Sequence, residues 1–212
     1  MLSVGPDPVV VERKLVSGEL SCPGCGQRLA PWGHAAPRFV RVAADLVVGR
    51  IRPRRGICSG AVGCGRSHVL LPRSLLGRRV DAVSVIWAAL LARAAGLGWR
   101  KITEMVGRPA STVRGWLGRF AAHAELIRVG FAWLERGVAG GADLDRLVPA
   151  GGATADAVAQ IGAACAAVRR AWGPAVFTVS VAEMAAACSG GWLLGSRPVP
   201  ARGLWINTPR HL

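Results

Sequence analysis

The sequence predicts a mainly α-helical protein with a small β-rich, metal-binding module at its N-terminal end. Three observations predict this class. Four of the six cysteines lie within the first 64 residues, apolar residues recur at helical spacing from residue 81 onwards, and the last third is rich in alanine. The 212 residues divide accordingly into the metal-binding module (10–72), a helical domain (73–136), a Gly-rich linker (137–152) and a helical C-terminal region with an irregular tail (153–212).

The four N-terminal cysteines have the pattern of metal ligands. In a chain that does not open with a secretory leader, cysteines are interpreted first as ligands rather than as disulfides. Cys22 and Cys25 lie in Cys-Pro-Gly-Cys-Gly, where two intervening residues allow a tight knuckle whose amides point at the thiolates. With Cys58 and Cys64 they predict one structural Zn²⁺ in a closed site that leaves no position for a substrate.

The identity of the fourth ligand stays open at this point. Five residues separate Cys58 from Cys64, more than a usual knuckle holds, although Gly60 and Gly63 allow the extra residues to bulge outwards. His68 could replace Cys58 in a Cys₃His site. We expect Cys58, because the residues before it are typical of a strand that enters a knuckle. The alternative is four unconnected small apolar side chains and no metal.

Two short strands are expected between the cysteine pairs. Residues 38–42 and 46–52 alternate between apolar and polar side chains, as strands do. Two knuckles joined by a small antiparallel sheet form a zinc ribbon. The other two cysteines, Cys165 and Cys188, lie far apart in Ala-rich segments and are expected to be buried thiols.

The charge balance predicts a polyanionic partner. The chain holds 27 basic and 12 acidic residues, a formal charge of +15. Residues 1–136 carry 21 of the basic and 8 of the acidic side chains, and therefore +13 of the total. No acidic residue occurs between Arg50 and Arg79, whereas a solvated surface intersperses both signs. We expect a phosphate-facing surface here, the alternative being the arginine-rich codon usage of a GC-rich genome.

A helix–turn–helix pattern follows the metal-binding module. Residues 81–95 form a first helix, and a shorter second helix ends at Gly107, where this motif needs a positive φ. Pro109 begins the next helix, with Ser111 and Thr112 available as caps. The side chains expected inside this unit are Val83, Ile86, Trp87, Leu90, Leu91, Ile102, Met105, Val106, Val113, Trp116, Leu117 and Phe120. Their spacing is that of a DNA-binding motif, an ordinary pair of packed helices being the alternative.

The outward face of the last helix is small and basic, as a helix that enters the major groove requires. Arg114 is suited to donate a bidentate pair to guanine, whereas the arginines of residues 50–79 are suited to phosphates. The residues predicted to contact double-stranded DNA are Arg52, Arg54, Arg55, Arg78, Arg79, Arg100, Lys101, Arg108, Ser111, Thr112, Arg114 and Arg119.

Several motifs recur together in a known family. They are Cys-Pro-Gly-Cys-Gly from Cys22, Leu-Ala-Pro-Trp-Gly from Leu29, Arg-Pro-Arg-Arg-Gly from Arg52, His-Val-Leu-Leu-Pro from His68, Arg78-Arg79, and Arg-Pro-Ala-Ser-Thr-Val-Arg-Gly-Trp-Leu from Arg108. Over residues 10–125 the chain resembles uncharacterised bacterial proteins that pair a zinc ribbon with a helix–turn–helix and are found beside insertion-sequence transposases. It is also similar to the N-terminal DNA-binding region of zinc-ribbon transposases. The resemblance implies DNA binding and a mobile-element context; the wide Cys58–Cys64 spacing departs from it.

The C-terminal third has a different character. Its formal charge is only +2, and residues 154–172 and 175–188 have the pattern of two Ala-rich helices, although 176–181 could equally be a strand. We expect this region to pack against the preceding helices or to dock a transposase or a second copy of the chain. Trp192 and Trp205 in a loose tail favour such a docking surface.

Catalysis is not expected. A transposase needs three carboxylates converging on Mg²⁺ within a large core, but Asp143 and Asp145 lie in the Gly-rich linker without such a core. The predicted function is sequence-specific DNA binding, accessory or regulatory to a mobile element. Alternatives are a zinc-stabilised protein–protein adaptor with non-specific DNA contact and, more remotely, an RNA-binding ribbon. Uncharged stretches are too short to span a membrane, so a cytoplasmic, nucleoid-associated location is expected.

Overall fold

The computed structural model describes residues 1–42, 47–60, 62–139, 149–173 and 178–195. About half of the described chain is helical. Its elements are β1 (Leu2–Val4), α1 (Pro8–Val16), β2 (Leu29–His34), β3 (Arg38–Arg41), β4 (Val47–Ile51), β5 (Arg54–Cys58), β6 (Ser67–Pro72), α2 (Val83–Ala94), α3 (Trp99–Val106), α4 (Ala110–Ala139), α5 (Ala153–Trp172) and α6 (Val181–Cys188). Asp143, Asp145 and Trp205 lie outside the described residues, as does most of the predicted linker.

The N-terminal part is built on a four-stranded sheet in the order β1-β6-β5-β2. β1 runs parallel to β6, and the other neighbours are antiparallel. α1 covers this sheet, and the small core between them contains Leu15, Leu20, Leu29, Cys58 and Leu70. The sheet therefore brings the end of β5, which carries Cys58, next to the start of β2, just after the first cysteine pair.

The predicted strands at 38–42 and 46–52 are present as β3 and β4, which pair antiparallel. The expectation that these strands join the two knuckles was wrong. The connection is made by β2 and β5, and β3–β4 form a separate two-stranded sheet between them. Strand alternation indicates where strands lie, but pairing is decided by which apolar faces meet in the core.

The sequence analysis did not predict α1, although its signals are local. The carboxylate of Asp7 accepts hydrogen bonds from the Val9 and Val10 amides at 2.8 and 3.4 Å, and Pro8 occupies the first helical position. The helix ends before Gly18, whose φ of 73° is accessible to glycine at little cost. Val11 and Leu15 lie one turn apart and are buried against the sheet.

The three predicted helices of the helical domain are present as α2, α3 and the first part of α4, and most of the expected side chains are buried. Leu91 and Met105 were placed inside wrongly, since they are 46% and 52% exposed. Each lies about 100° around its helix from a buried neighbour, Leu90 or Val106, and falls outside the buried stripe. Neither of the two cap candidates, Ser111 and Thr112, precedes α4; both lie within its first turn.

The described part of the C-terminal region packs against the preceding helices. α5 lies along α4, and Ile161, Cys165 and Met184 are fully buried in one core shared with α2, α3 and α4. Cys165 and Cys188 are buried free thiols, as expected. α6 begins after Ser180, which forms a capping box with Glu183. None of the described helices combines the length and apolar character that crossing a membrane requires.

Candidate metal centre and nucleic-acid interface

The fold brings the four predicted ligands together. The sulfur atoms of Cys22, Cys25, Cys58 and Cys64 all lie within 4.8 Å of one another. Cys22 Sγ is 3.6 Å from Cys64 Sγ, and Cys25 Sγ is 3.3 Å from Cys58 Sγ. These separations are too long for disulfides, whose sulfurs lie about 2.05 Å apart. Four free sulfurs at one point form a cluster that could bind a metal ion.

The spacing of the sulfurs fits a tetrahedral ion. Metal–sulfur distances of about 2.3 Å place the four sulfurs of a tetrahedral site roughly 3.8 Å apart. The Cys25–Cys58 and Cys22–Cys64 sulfurs lie closer than this, at 3.3 and 3.6 Å, and no two of the four sulfurs are more than 4.8 Å apart, so a bound ion needs side-chain adjustments of at most about 1 Å. Soft thiolates are the donors that zinc and iron–sulfur clusters prefer.

The first knuckle is held by its own backbone. The Gly26 amide donates to the Cys22 carbonyl at 2.9 Å, and the Gly24 amide donates to Cys22 Sγ at 3.4 Å. Gly26, with φ of 76°, closes the turn in a conformation that side chains disfavour. The amide–sulfur bond favours the charged thiolate, as the short Cys-x-x-Cys spacing predicted.

The second knuckle repeats this design around a longer loop. The Gly65 amide donates to the Cys58 carbonyl at 3.0 Å, and the Cys64 amide donates to Cys58 Sγ at 3.4 Å. The extra residues bulge outwards, as expected, and Val62 is 73% exposed. Gly63 has to be small here, because a Cβ atom would lie 2.9 Å from the Ser59 carbonyl group.

Cys58 belongs to the sulfur cluster, and His68 lies against the cluster on the side of Cys22. His68 Nε2 is 3.4 Å from Cys22 Sγ, and its Nδ1 is 3.3 Å from the amino group of Met1. His68 is 8% exposed. An imidazole N–H in this position orients and stabilises a ligand thiolate without itself binding the ion.

Burial and hydrogen bonding shift the pKa values of two of the thiols in opposite directions. Burial raises the pKa of Cys58 to about 12, whereas hydrogen bonds, chiefly from the Gln27 amide and then from Cys58, lower the pKa of Cys25 to about 6. Cys58 is fully buried, so the loss of hydration dominates its pKa, whereas Cys25 is exposed and its hydrogen bonds dominate. A positive ion bound among the four sulfurs would offset the cost of charging the buried ones.

The turn between α3 and α4 has the predicted geometry. Gly107 ends α3 with φ of 60° and ψ of 42°, and its amide donates to the Thr103 carbonyl at 3.0 Å. Pro109 precedes α4 and its carbonyl accepts from the Thr112 and Val113 amides. Val113, Trp116 and Phe120 then face the core.

Two of the predicted DNA-contacting arginines converge on one aromatic ring. The guanidinium carbons of Arg100 and Arg114 lie 4.8 and 5.6 Å from the centre of the Trp99 ring. Both arginines are exposed, and they come from α3 and from the first turns of α4. Sequence analysis did not single out Trp99; its signal was an aromatic residue beside a basic pair at a helix start.

No match was found when the chain was compared with protein-family models, with curated proteins and with solved structures.

Arg108 was predicted to contact DNA, and the structure contradicts this. Its side chain is 2% exposed and pairs with Asp81, while its Nη1 donates to the Gly107 carbonyl at 3.0 Å. A buried guanidinium that is fully engaged with a carboxylate cannot reach a phosphate on the surface. The Arg-Pro sequence at the start of a helix gave no indication of the distant partner.

Arg54 and Arg55 are also engaged within the protein. Arg54 forms a bidentate pair with the Glu12 carboxylate at 2.6 and 2.9 Å, and also donates to the Gly33 carbonyl. Arg55 Nη2 donates to Ser67 Oγ at 2.5 Å. Arg54 is thereby neutralised by α1, an element that the sequence analysis missed.

The other predicted contacts remain on the surface or near it. Arg52, Arg78, Lys101, Ser111 and Arg119 are exposed, and Thr112 and Arg79 are half-buried. Arg78, Arg79 and Arg119 line one cavity together with His123, to which sequence analysis gave no role. The predicted arginines thus occur in three settings: on the Trp99 ring, around this cavity and on the N-terminal sheet.

Proposed function

We propose that this chain is a sequence-specific DNA-binding protein whose α4 enters the major groove. The observation that carries the proposal is the position of Arg114. Arg114 lies on an exposed face of α4 whose neighbouring side chains are small, with Ser111 one turn before it and Gly118 one turn after it. The Trp99 ring restrains its guanidinium, and a restrained guanidinium loses less entropy when it pairs with guanine O6 and N7.

The turn at Gly107, which has a positive φ, supports the same proposal. α3 and α4 are separated by three residues, and the buried side chains Ile102, Val106 and Val113 hold the two helices together. A helix fixed in this way presents its N-terminal residues to base edges while the preceding helix approaches the backbone. Arg100 and Lys101 on α3 are then suited to phosphate contacts.

We further propose that the cysteine cluster holds one structural Zn²⁺. The ion would join the two knuckles and supply folding free energy to a module whose apolar core is small. Cys22, Cys25, Cys58 and Cys64 would bind it, with His68 behind Cys22. The resemblance over residues 10–125 supports an accessory or regulatory role at a mobile element, through binding rather than catalysis.

The test is site selection from random duplexes, followed by gel-shift titration of the selected sequence at several salt concentrations. Arg114→Ala is expected to lower the affinity for the selected duplex by about five- to 150-fold. This corresponds to the roughly 1–3 kcal/mol that one bidentate base contact contributes. Arg136→Ala is the matched control, because it removes the same charge from an exposed position on the same helix. Equal losses in both variants, or no selected sequence at all, would contradict sequence-specific readout.

A second candidate function is a protein–protein adaptor, which a different face of α4 favours. Leu126, Val129 and Trp133 are 50%, 38% and 53% exposed and recur at helical spacing. Such an apolar stripe suits a docked helix from a transposase or from a second copy. Trp133→Ser would then abolish complex formation in analytical ultracentrifugation while leaving DNA affinity unchanged; under the DNA-binding proposal alone it changes neither.

A further inference from the structure

A cavity of about 410 Å³ lies between three separate segments of the chain. Arg78 and Arg79 line it from the loop between β6 and α2, Arg119 and His123 from α4, and Trp192 from the loop after α6. None of the described residues that line it is acidic. The cavity is larger than one inorganic ion requires and lies in the range typical of sites for small organic ligands.

The positive charge at this cavity has no counter-charge within the described part of the chain. The ion pairs found in the described part of the chain are formed by other arginines, and none of them involves Arg78, Arg79 or Arg119. Arg79 Nε is buried and lacks a hydrogen-bond partner among the described residues. Burial, and then the nearby charge of Arg119, lower the pKa of Arg79. Guanidinium groups held close together at a cost of this kind are stabilised by a bound anion.

The backbone is also held in an unusual conformation here. Arg78 has φ of 59°, and it is the one described residue other than glycine with a positive φ. The side chains of consecutive residues in an extended chain point to opposite sides. Because the left-handed Arg78 changes the direction of the chain, both Arg78 and Arg79 line the same cavity. Strained residues of this type persist where the surrounding structure enforces them, and they cluster at ligand sites.

The cavity lies on a different face of α4 from Arg114. Arg119 follows Arg114 by five residues and is therefore about 140° around the helix from it. His123 lies one turn beyond Arg119 on the cavity side. A ligand in the cavity is thus held by groups that the major-groove contact does not use.

We propose that this cavity binds one phosphate group, with the guanidinium groups of Arg79 and Arg119 as its main donors and His123 beside them. Planar guanidinium groups match phosphate oxygens in a bidentate geometry, which favours phosphate over a halide or a single carboxylate. The phosphate can belong to a free phosphomonoester or to the phosphodiester of a DNA strand. Trp192 forms an apolar wall for the attached organic part.

The test uses the full chain and three probes in isothermal titration calorimetry: inorganic phosphate, deoxyadenosine 5′-monophosphate and a duplex carrying the selected site. Arg119→Gln is the main variant, since Arg119 is exposed and its loss leaves the core intact. Arg79→Gln is the second, with thermal unfolding checked for both. Arg136→Gln, which removes the same charge from an exposed position of α4 that does not line the cavity, is the control.

Saturable binding of the monophosphate that falls at least tenfold in Arg119→Gln and Arg79→Gln, but not in Arg136→Gln, supports a site for free phosphomonoesters. If only the duplex binds, and both cavity variants lower its salt-dependence slope by about one, the source is a DNA phosphodiester. The proposal is overturned if both cavity variants bind all three probes like the wild type, or if no probe binds. If the wild type binds neither phosphate probe, the cavity variants bind the duplex like the wild type, and Arg114→Ala still weakens duplex binding, this site is excluded and the DNA-binding proposal stands.

Discussion

Arg108 Nε donates a hydrogen bond to Asp81 Oδ1 at 2.5 Å, and both side chains are almost completely buried. The same carboxylate oxygen lies 3.3 Å from Arg41 Nε. Asp81 lies two residues before α2, Arg108 lies in the turn between α3 and α4, and Arg41 ends β3. One carboxylate therefore joins the β-rich module to the α3–α4 turn, and its two arginines compensate the cost of burying it.

Removing one partner of this pair is expected to destabilise the fold strongly. Arg108→Ala leaves the Asp81 carboxylate buried with only the half-exposed Arg41 beside it, and we expect a loss of about 3–5 kcal/mol in the free energy of unfolding. The measurement is urea denaturation followed by circular dichroism. The control is Arg128→Ala, which breaks the exposed pair with Glu125 and is expected to cost at most about 1 kcal/mol. Similar losses in both variants would contradict the buried role of Arg108.

The metal centre predicts a specific ranking of variants. Cys58→Ser is expected to abolish metal binding, because it removes a sulfur from the cluster. His68→Ala is expected to leave one ion per chain but to weaken its affinity by about 10–100-fold, as the loss of a supporting hydrogen bond does. Metal content is measured by inductively coupled plasma mass spectrometry, and affinity by competition with a chelator.

Cys165→Ala is the control for this series, since Cys165 is a buried thiol in the helical core. It is expected to retain the full metal content. If His68→Ala loses the ion and Cys58→Ser keeps it, the Cys₃His alternative is the correct one.

The Glu12–Arg54 pair predicts a defined pH dependence. The hydrogen bond from Arg54 lowers the pKa of Glu12 from its ordinary value of 4.5. A depressed carboxylate pKa means that the pair stabilises the fold above the unfolded-state pKa, and that this stability is lost as the pH falls through the folded pKa. In Arg54→Gln the Glu12 titration midpoint, measured by NMR of the side-chain carboxyl carbon, is expected to rise. Glu125, whose pKa is lowered by Arg128, should titrate unchanged in that variant.

The Trp99 ring is expected to increase the affinity for DNA by restraining Arg114. Trp99→Leu retains an apolar side chain but removes the π face that lies against both guanidinium groups. A cation–π contact at a partly exposed site contributes about 0.5–1 kcal/mol, so we expect roughly a two- to fivefold loss of affinity for the selected duplex. In the Arg114→Ala background the same change should add little, because the restrained group is already absent. A full additional loss in the double variant would argue against this coupling.

Alanine substitutions at two glycines of the α3–α4 region should change the free energy of unfolding in opposite directions. Gly107→Ala forces a side chain into the left-handed conformation and is expected to cost roughly 1–2 kcal/mol of unfolding free energy. Gly118→Ala places a methyl group in open space on an exposed helix and is expected to stabilise by about 0.5–1 kcal/mol. Thermal unfolding of the two variants measures both effects. A destabilising Gly118→Ala would show that this face of α4 is not free.

The features predicted from the sequence are those with local causes. The Gly107 turn follows from the backbone freedom of glycine, and the Val113–Trp116–Phe120 face follows from 3.6-residue periodicity. The Cys22–Cys25 knuckle follows from ligand spacing. The same reasoning placed Met105 inside, because the width of a buried stripe depends on the neighbouring helices rather than on the pattern.

The sequence by itself determined which residues could act: four cysteines at ligand spacing, a left-handed turn before a small-faced helix, and an excess of arginine. Tertiary structure decided which of them do so. Arg108 is buried against Asp81, and Arg54 is neutralised by Glu12; these partners lie 27 and 42 positions away along the chain. Arg79, Arg119 and His123 are assembled around one cavity by the packing of distant segments. The physical reason is that backbone conformation and periodicity depend on near neighbours, whereas the burial and pairing of a charge depend on side chains that only the folded core brings into contact.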